Sequence, residues 1–124
     1  MEKTDKPDVW VGHVVLKVND LDAAINLCKV AGMRFVTRIK EKIGILELRA
    51  GTHLLLMLAD DIAKDQYLDL MVEDLEAMRV RLLEAGYSPT EIKKNSNGVH
   101  NIFEINNFAG TKIIFYDSHV VGVV

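Results

Sequence analysis

The chain has 124 residues, 49% of them hydrophobic, enough for one domain that buries about two-thirds of the surface its unfolded form would expose. Fifteen Lys+Arg against 18 Asp+Glu give a net charge of −3 with the signs mixed along the sequence, which argues against a nucleic-acid or membrane-surface partner. No run approaches the roughly eighteen apolar residues of a membrane span, the opening MEKTDKPDVW has no apolar signal-peptide core, and the lone Cys28 points to a reducing, cytoplasmic setting.

In chain order, residues 1 to 8 read as a polar lead-in. Trp10 to Val18 is the first expected strand, with Val14, Leu16 and Val18 on one face and His13, Val15 and Lys17 on the other. Asp20 is placed to cap a helix whose stripe is Leu21, Ala24, Ile25 and Cys28 and which stops at Gly32. Cys28 on that stripe reads as core filler. Arg34 to Ile39 and Ile43 to Arg49 follow as strands, then Thr52 to Leu58, an almost wholly apolar run that suggests burial on both faces or the lining of a cavity. The charged segment ADDIAKDQ, 59 to 66, is a short linker.

The order then repeats. Strand Tyr67 to Val72, cap Asp74, helix stripe Leu75, Met78, Leu82 and Ala85, and stop Gly86 fall in register with the first copy at a shift of 54 residues. A loop with Pro89 and the run from Asn95 to Gly98 follows, with a short strand expected around Glu91 to Lys94. Val99 to Ile105 and Lys112 to Tyr116 close the second copy. The chain is therefore expected to be one α+β domain built from two tandem βαβββ units, 9–58 and 67–118, with mixed sheets and a cleft between them. One helix covers only one face of a four-stranded sheet, so the opposite faces must meet water, a ligand or each other.

Those opposite faces hold the candidate site residues. The two-residue period puts His13, Val15 and Lys17 on one, and Tyr67, Asp69 and Met71 on the other. Asp69 is unusual in an apolar strand and would need a polar partner if buried. Glu47 and Glu104 hold matching places in the two units and could act as an acid/base pair, or point to solvent or lysines. His53 shares a face with Leu55 and Met57, and His100 with Ile102 and Glu104. No phosphate-cradling loop, nucleophile triad or zinc-finger spacing is present.

A strand with His-x6-Asp-Leu, a helix ending in Ala-Gly, and an Asn/Asp-rich turn with Gly before the last strand, all written twice, resembles the vicinal oxygen chelate superfamily. Its members include glyoxalases, extradiol dioxygenases, methylmalonyl-CoA epimerases and bleomycin resistance proteins. The resemblance spans residues 9 to 118. It implies metal ligands at the starts of the two first strands, here His13 and Tyr67, and acidic ligands four residues past the turn glycines, here Leu55 and Ile114. One of the four types is present. The resemblance is thus closer to the metal-free members, which sequester drug-like molecules, and no cofactor is expected. The implied reading is a homodimeric binding protein whose small-molecule cleft is lined by His13, Tyr67, Asp69, His53 and His100. The alternative is a metal-dependent lyase, epimerase or dioxygenase with a rearranged site, built from His13 with Glu47 or from His53 with His100.

Overall fold

The computed structural model describes residues 6–96, 98 and 100–118. The expected turn residue Asn97, the strand start at Val99 and the tail from 119 lie outside the described residues. The first unit runs β1 (His13–Val18), α1 (Leu21–Val30), β2 (Arg34–Ile39), β3 (Ile43–Glu47), a single 3₁₀ turn (Arg49–Gly51) and β4 (His53–Leu58). The second runs β5 (Tyr67–Val72), α2 (Leu75–Glu84), β6 (Lys93–Lys94), β7 (Asn101–Phe108) and β8 (Thr111–Asp117). Each forms a four-stranded mixed sheet of the same topology, β1-β4-β3-β2 and β5-β8-β7-β6. In each, the first and last strands are parallel and the remaining pairs antiparallel.

Local chemistry accounts for these boundaries. Asp20 accepts a 3.0 Å bond from the Ala23 amide, and Asp74 a 3.0 Å bond from the Ala77 amide, so both helices begin with one otherwise orphaned donor satisfied. Gly32 and Gly86, at φ 104° and 94°, take the left-handed conformation just past the helix ends. Alternation along the strands then decides what each helix covers. Leu16, Val18, Leu46, Leu54 and Leu56 are buried with Leu21, Ala24, Ile25 and Cys28 of α1 in the same apolar core. In the second unit Phe103, Ile105, Ile113 and Phe115 are buried with Leu75, Met78 and Leu82 of α2. Phe103 and Phe115 are cross-strand partners whose rings stack at 4.9 Å, and burying each such side chain contributes about 1.5–3 kcal/mol.

Four expectations are corrected. β1 begins at His13 rather than Trp10: upstream of the His13–His53 pair, Thr52 closes the turn by donating its N–H to the Arg49 carbonyl and its hydroxyl to the Val11 carbonyl. β4 is buried on one face only: Leu54 and Leu56 are covered by the helix layer, whereas on the other face Leu55 is half-buried and Met57 exposed. β7 continues past Ile105 to Phe108 through a bulge in which Asn107 adopts φ 52°, returning Phe108 to the core. Ala85 is exposed, since it caps α2 instead of belonging to its packing stripe.

The two units touch through their helices and the edge of β1. Asn26 donates to the Tyr87 hydroxyl at 2.7 Å, Asn19 N–H to the Ala109 carbonyl at 2.9 Å, and Arg81 to the Val30 carbonyl at 3.4 Å. The Gln66 side chain reads the β1 edge as a strand would, accepting from Lys17 N–H at 3.1 Å and donating to its carbonyl at 2.8 Å. Neither helix is long and apolar enough to cross a membrane.

Candidate functional site

Because α2 covers one face of the second sheet, the side chains that alternate away from it line an open cleft of about 720 Å³, within the range of small-molecule sites. Its floor is Asp69 of β5, Ile114 of β8 and Glu104 of β7, which stand opposite one another across three strands. Tyr67 closes one side; His100, Ile102 and Tyr116 form the other; Lys93, Lys94, Asn95 and Ser96 make a polar rim. Thr90 holds this wall, donating N–H to the Glu104 carbonyl at 2.9 Å and accepting from Glu104 N–H at 2.8 Å.

The floor carries two carboxylates, Asp69 and Glu104, with one ammonium, Lys112, near both. Burial pushes the Asp69 carboxyl above its ordinary value, and Lys112 partly offsets this. The Lys112 ammonium lies 3.9 Å from Glu104 and 5.9 Å from the Tyr67 ring centroid. At the far end, His100 Nδ1 is 3.7 Å from Asp117 Oδ1, and the His100 ring meets Tyr116 edge to face at 4.7 Å. Burial would raise the Asp117 carboxyl, but hydrogen bonds from Asn101, its own backbone and the neighbouring His100 take it below the usual carboxylate range.

The first sheet presents a separate open face. One register row crosses it as His13, His53, Glu47 and Arg34, with the His13 and His53 rings 5.8 Å apart and Arg34 paired to Glu47 at 2.8 Å. Behind the row lies exposed apolar surface, including Val15 at 53% and Met57 at 37% exposure.

Five residues were expected to share a cleft. Tyr67, Asp69 and His100 do line the one on the second sheet, whereas His13 and His53 lie on the first sheet and do not reach it. The physical reason is the contact between units: it runs through helices and a strand edge, so within one chain the open faces are not apposed. The same geometry separates Glu47 from Glu104, and the latter meets Lys112. Sequence reasoning missed the rim lysines and Tyr116; it put Ile102 on the His100 face and Ile114 at an expected ligand position without assigning either to the cleft wall. Extending the two-residue period from Lys112 would have found Ile114 and Tyr116.

The divalent metal implied by the resemblance does not fit these residues. The four relevant positions are His13, Leu55, Tyr67 and Ile114, and a catalytic metal site ordinarily draws three protein ligands. In the rearranged pairings Glu47 is paired with Arg34, and His53 and His100 belong to different sheets. Among the described residues no group of three potential ligands is gathered around one point.

Two βαβββ units in tandem, each with a mixed sheet open on one face, define the glyoxalase/bleomycin resistance fold, and the comparisons agree. The chain resembles the crystal structure of a lactoylglutathione lyase from Agrobacterium tumefaciens, with TM-score 0.74 and 18% identity over 95% of this chain and 100% of that one. It likewise resembles a bleomycin-binding protein complexed with bleomycin, at TM-score 0.71 and 16% identity over 90% and 99% of the two chains. A glyoxalase/bleomycin resistance protein from Catenulispora acidiphila follows at TM-score 0.70 and 21% identity, over 88% and 99%. At these identities the likeness establishes the fold. No family model matches the sequence, and no curated protein does.

Proposed function

We propose that this chain is a metal-free small-molecule-binding protein that sequesters a partly apolar, drug-like ligand, and that it works as a homodimer. The observation that carries this reading is the pair of unlike open faces. The second sheet has a roomy cleft with an aromatic and aliphatic wall, and the first sheet has exposed apolar residues beside a row that holds two histidines. Setting the first sheet of one copy over the second sheet of its partner would cover both apolar surfaces and bring His13 and His53 to the mouth of a cleft that holds Tyr67, Asp69 and His100. Bleomycin complexes of proteins with the same fold support the ligand class.

The test combines sedimentation with calorimetric titration of bleomycin in the presence of EDTA. The expected result is a dimer that binds saturably, and a Met57→Arg variant that sediments as a monomer with weakened binding. At a ligand concentration a hundred times Kd, binding should stabilise the fold by about 2.7 kcal/mol. A wild-type monomer with no titratable heat would overturn the proposal. A second reading, a metal-dependent lyase, is favoured by the adjacent His13 and His53 rings and by the likeness to a lactoylglutathione lyase. It predicts turnover of a glutathione hemithioacetal that is abolished by EDTA and by His13→Ala.

A further inference from the structure

We propose that the second-sheet cleft takes planar aromatic molecules charged at both ends, with a protonated amine against Asp69 and a carboxylate against Lys93 and Lys94. The proposal rests on the reading of that cleft as a ligand site and names the class of its ligand.

Strand register sets out the charges. One row across the sheet runs Asp69, Ile114, Glu104, and the next runs Met71, Tyr116, Ile102, Lys93. Directly opposed residues share a face, so these side chains stand on the side away from α2. Asp69 on β5 and Lys93 on β6 thus occupy the two edge strands, about 16 Å apart at the backbone for three strand spacings and one two-residue step. Between them lie Ile114, Tyr116 and Ile102, an apolar platform. The Tyr116 ring meets His100 edge to face at 4.7 Å. Such a floor suits a flat ring system, and the charged groups at its two ends set which way round a ligand lies.

The ion pairs decide which of these charges a ligand meets. Glu104 stands in mid-row, but the Lys112 ammonium lies 3.9 Å from its carboxylate, so the two offset each other within the floor. Among the described residues the Asp69 carboxyl forms no hydrogen bond or close ion pair, and burial acts on it more strongly than Lys112 does. A carboxylate partly desolvated in this way gains from an incoming cation. Lys93 and Lys94 are exposed on the rim and form no ion pair among the described residues. The reverse orientation would set carboxylate against carboxylate and ammonium against ammonium.

The probe is 4′-(aminomethyl)biphenyl-4-carboxylate, with an amine and a carboxylate at opposite ends of two rings. Its single-charge relatives, 4-(aminomethyl)biphenyl and biphenyl-4-carboxylate, are titrated calorimetrically beside it, as is bleomycin. The doubly charged probe should bind saturably, about fivefold or more tighter than either relative. Asp69→Asn should weaken the doubly charged and amine probes by a similar factor and leave the carboxylate probe within about twofold. Lys93→Gln combined with Lys94→Gln should weaken the doubly charged and carboxylate probes and spare the amine. All three residues are open to solvent, and an unchanged thermal midpoint checks that each variant is folded. Equal affinity for the three probes, or affinities that neither variant separates, would overturn the charge assignment and leave the binding cleft standing. Binding of bleomycin without binding of the doubly charged probe would do the same. Binding of neither would overturn the two readings together.

Discussion

The duplicated turns supply a matched pair of sites at which the packing between units can be measured. Ala50-Gly51-Thr52 and Ala109-Gly110-Thr111 are equivalent in the two copies, and both turns place their central residues at positive φ: 57° and 78° in the first, 48° and 85° in the second. Alanine at either glycine meets the same backbone penalty, about 1–2 kcal/mol for a Cβ in the left-handed region. The surroundings differ. A Cβ on Gly51 would have nothing within 4 Å, whereas one on Gly110 would lie 2.8 Å from Asn19 Nδ2, 2.8 Å from Ile62 Cδ1 and 3.1 Å from Asn19 Cγ. Overpacking of that kind costs about 1–3 kcal/mol, and the low end applies because the crowded atoms are side-chain tips. Gly51→Ala should therefore cost about 1–2 kcal/mol, the sum given by the backbone alone. Gly110→Ala should exceed it by about 1 kcal/mol, equivalent to roughly 4 °C in thermal midpoint for a chain of this size. Urea unfolding followed by far-ultraviolet circular dichroism, at one fixed protein concentration, gives both values. Asn19→Ala should recover part of the excess in the Gly110→Ala background and none in the Gly51→Ala background. Equal losses at the two glycines, or no recovery on trimming Asn19, would refute the reasoning.

Burial pushes the Cys28 thiol up to about 12, so it should resist a thiol-reactive disulfide reagent in the folded protein near neutral pH and react once guanidinium unfolds the chain; rapid labelling without denaturant would show that α1 opens readily. The Asp117 carboxyl lies below its unfolded value of about 3.9, so its contribution to stability is present above that value and is lost as pH falls through the lower folded one. Asp117→Asn should accordingly lower the thermal midpoint near neutral pH by an amount that shrinks on acidification. A gap that widens in acid would contradict it.

Much of the fold was legible because it depends on short-range rules. The Asp20 and Asp74 caps, the glycine stops, the helix stripes and the limits of β2 and β5 follow from patterns a few residues long. The site was legible only in part. Alternation puts His100, Ile102 and Glu104 on one face, and Tyr67 with Asp69 on another strand's matching face, but it cannot report which strands become neighbours. Pairing β5 with β8 brought Ile114 beside Asp69 and Lys112 beside Tyr67. Pairing β1 with β4 set His13 against His53. Those partners are forty or more residues apart and carry no periodic signal linking them.

The sequence by itself determined two copies of one unit and which side of each strand meets its helix. Each of these is written in residue identity and spacing. Only the tertiary structure decided how the copies meet. Gln66 pairing with the β1 edge, Asn19 bonding to the Ala109 turn and Asn26 reaching Tyr87 join the units along helices and an edge. The two open faces are thereby left apart, and the cleft is formed from the second sheet alone. The physical reason is that inter-unit geometry rests on contacts between residues distant in the chain, whereas each unit's own geometry rests on repeating apolar patterns that the chain states twice.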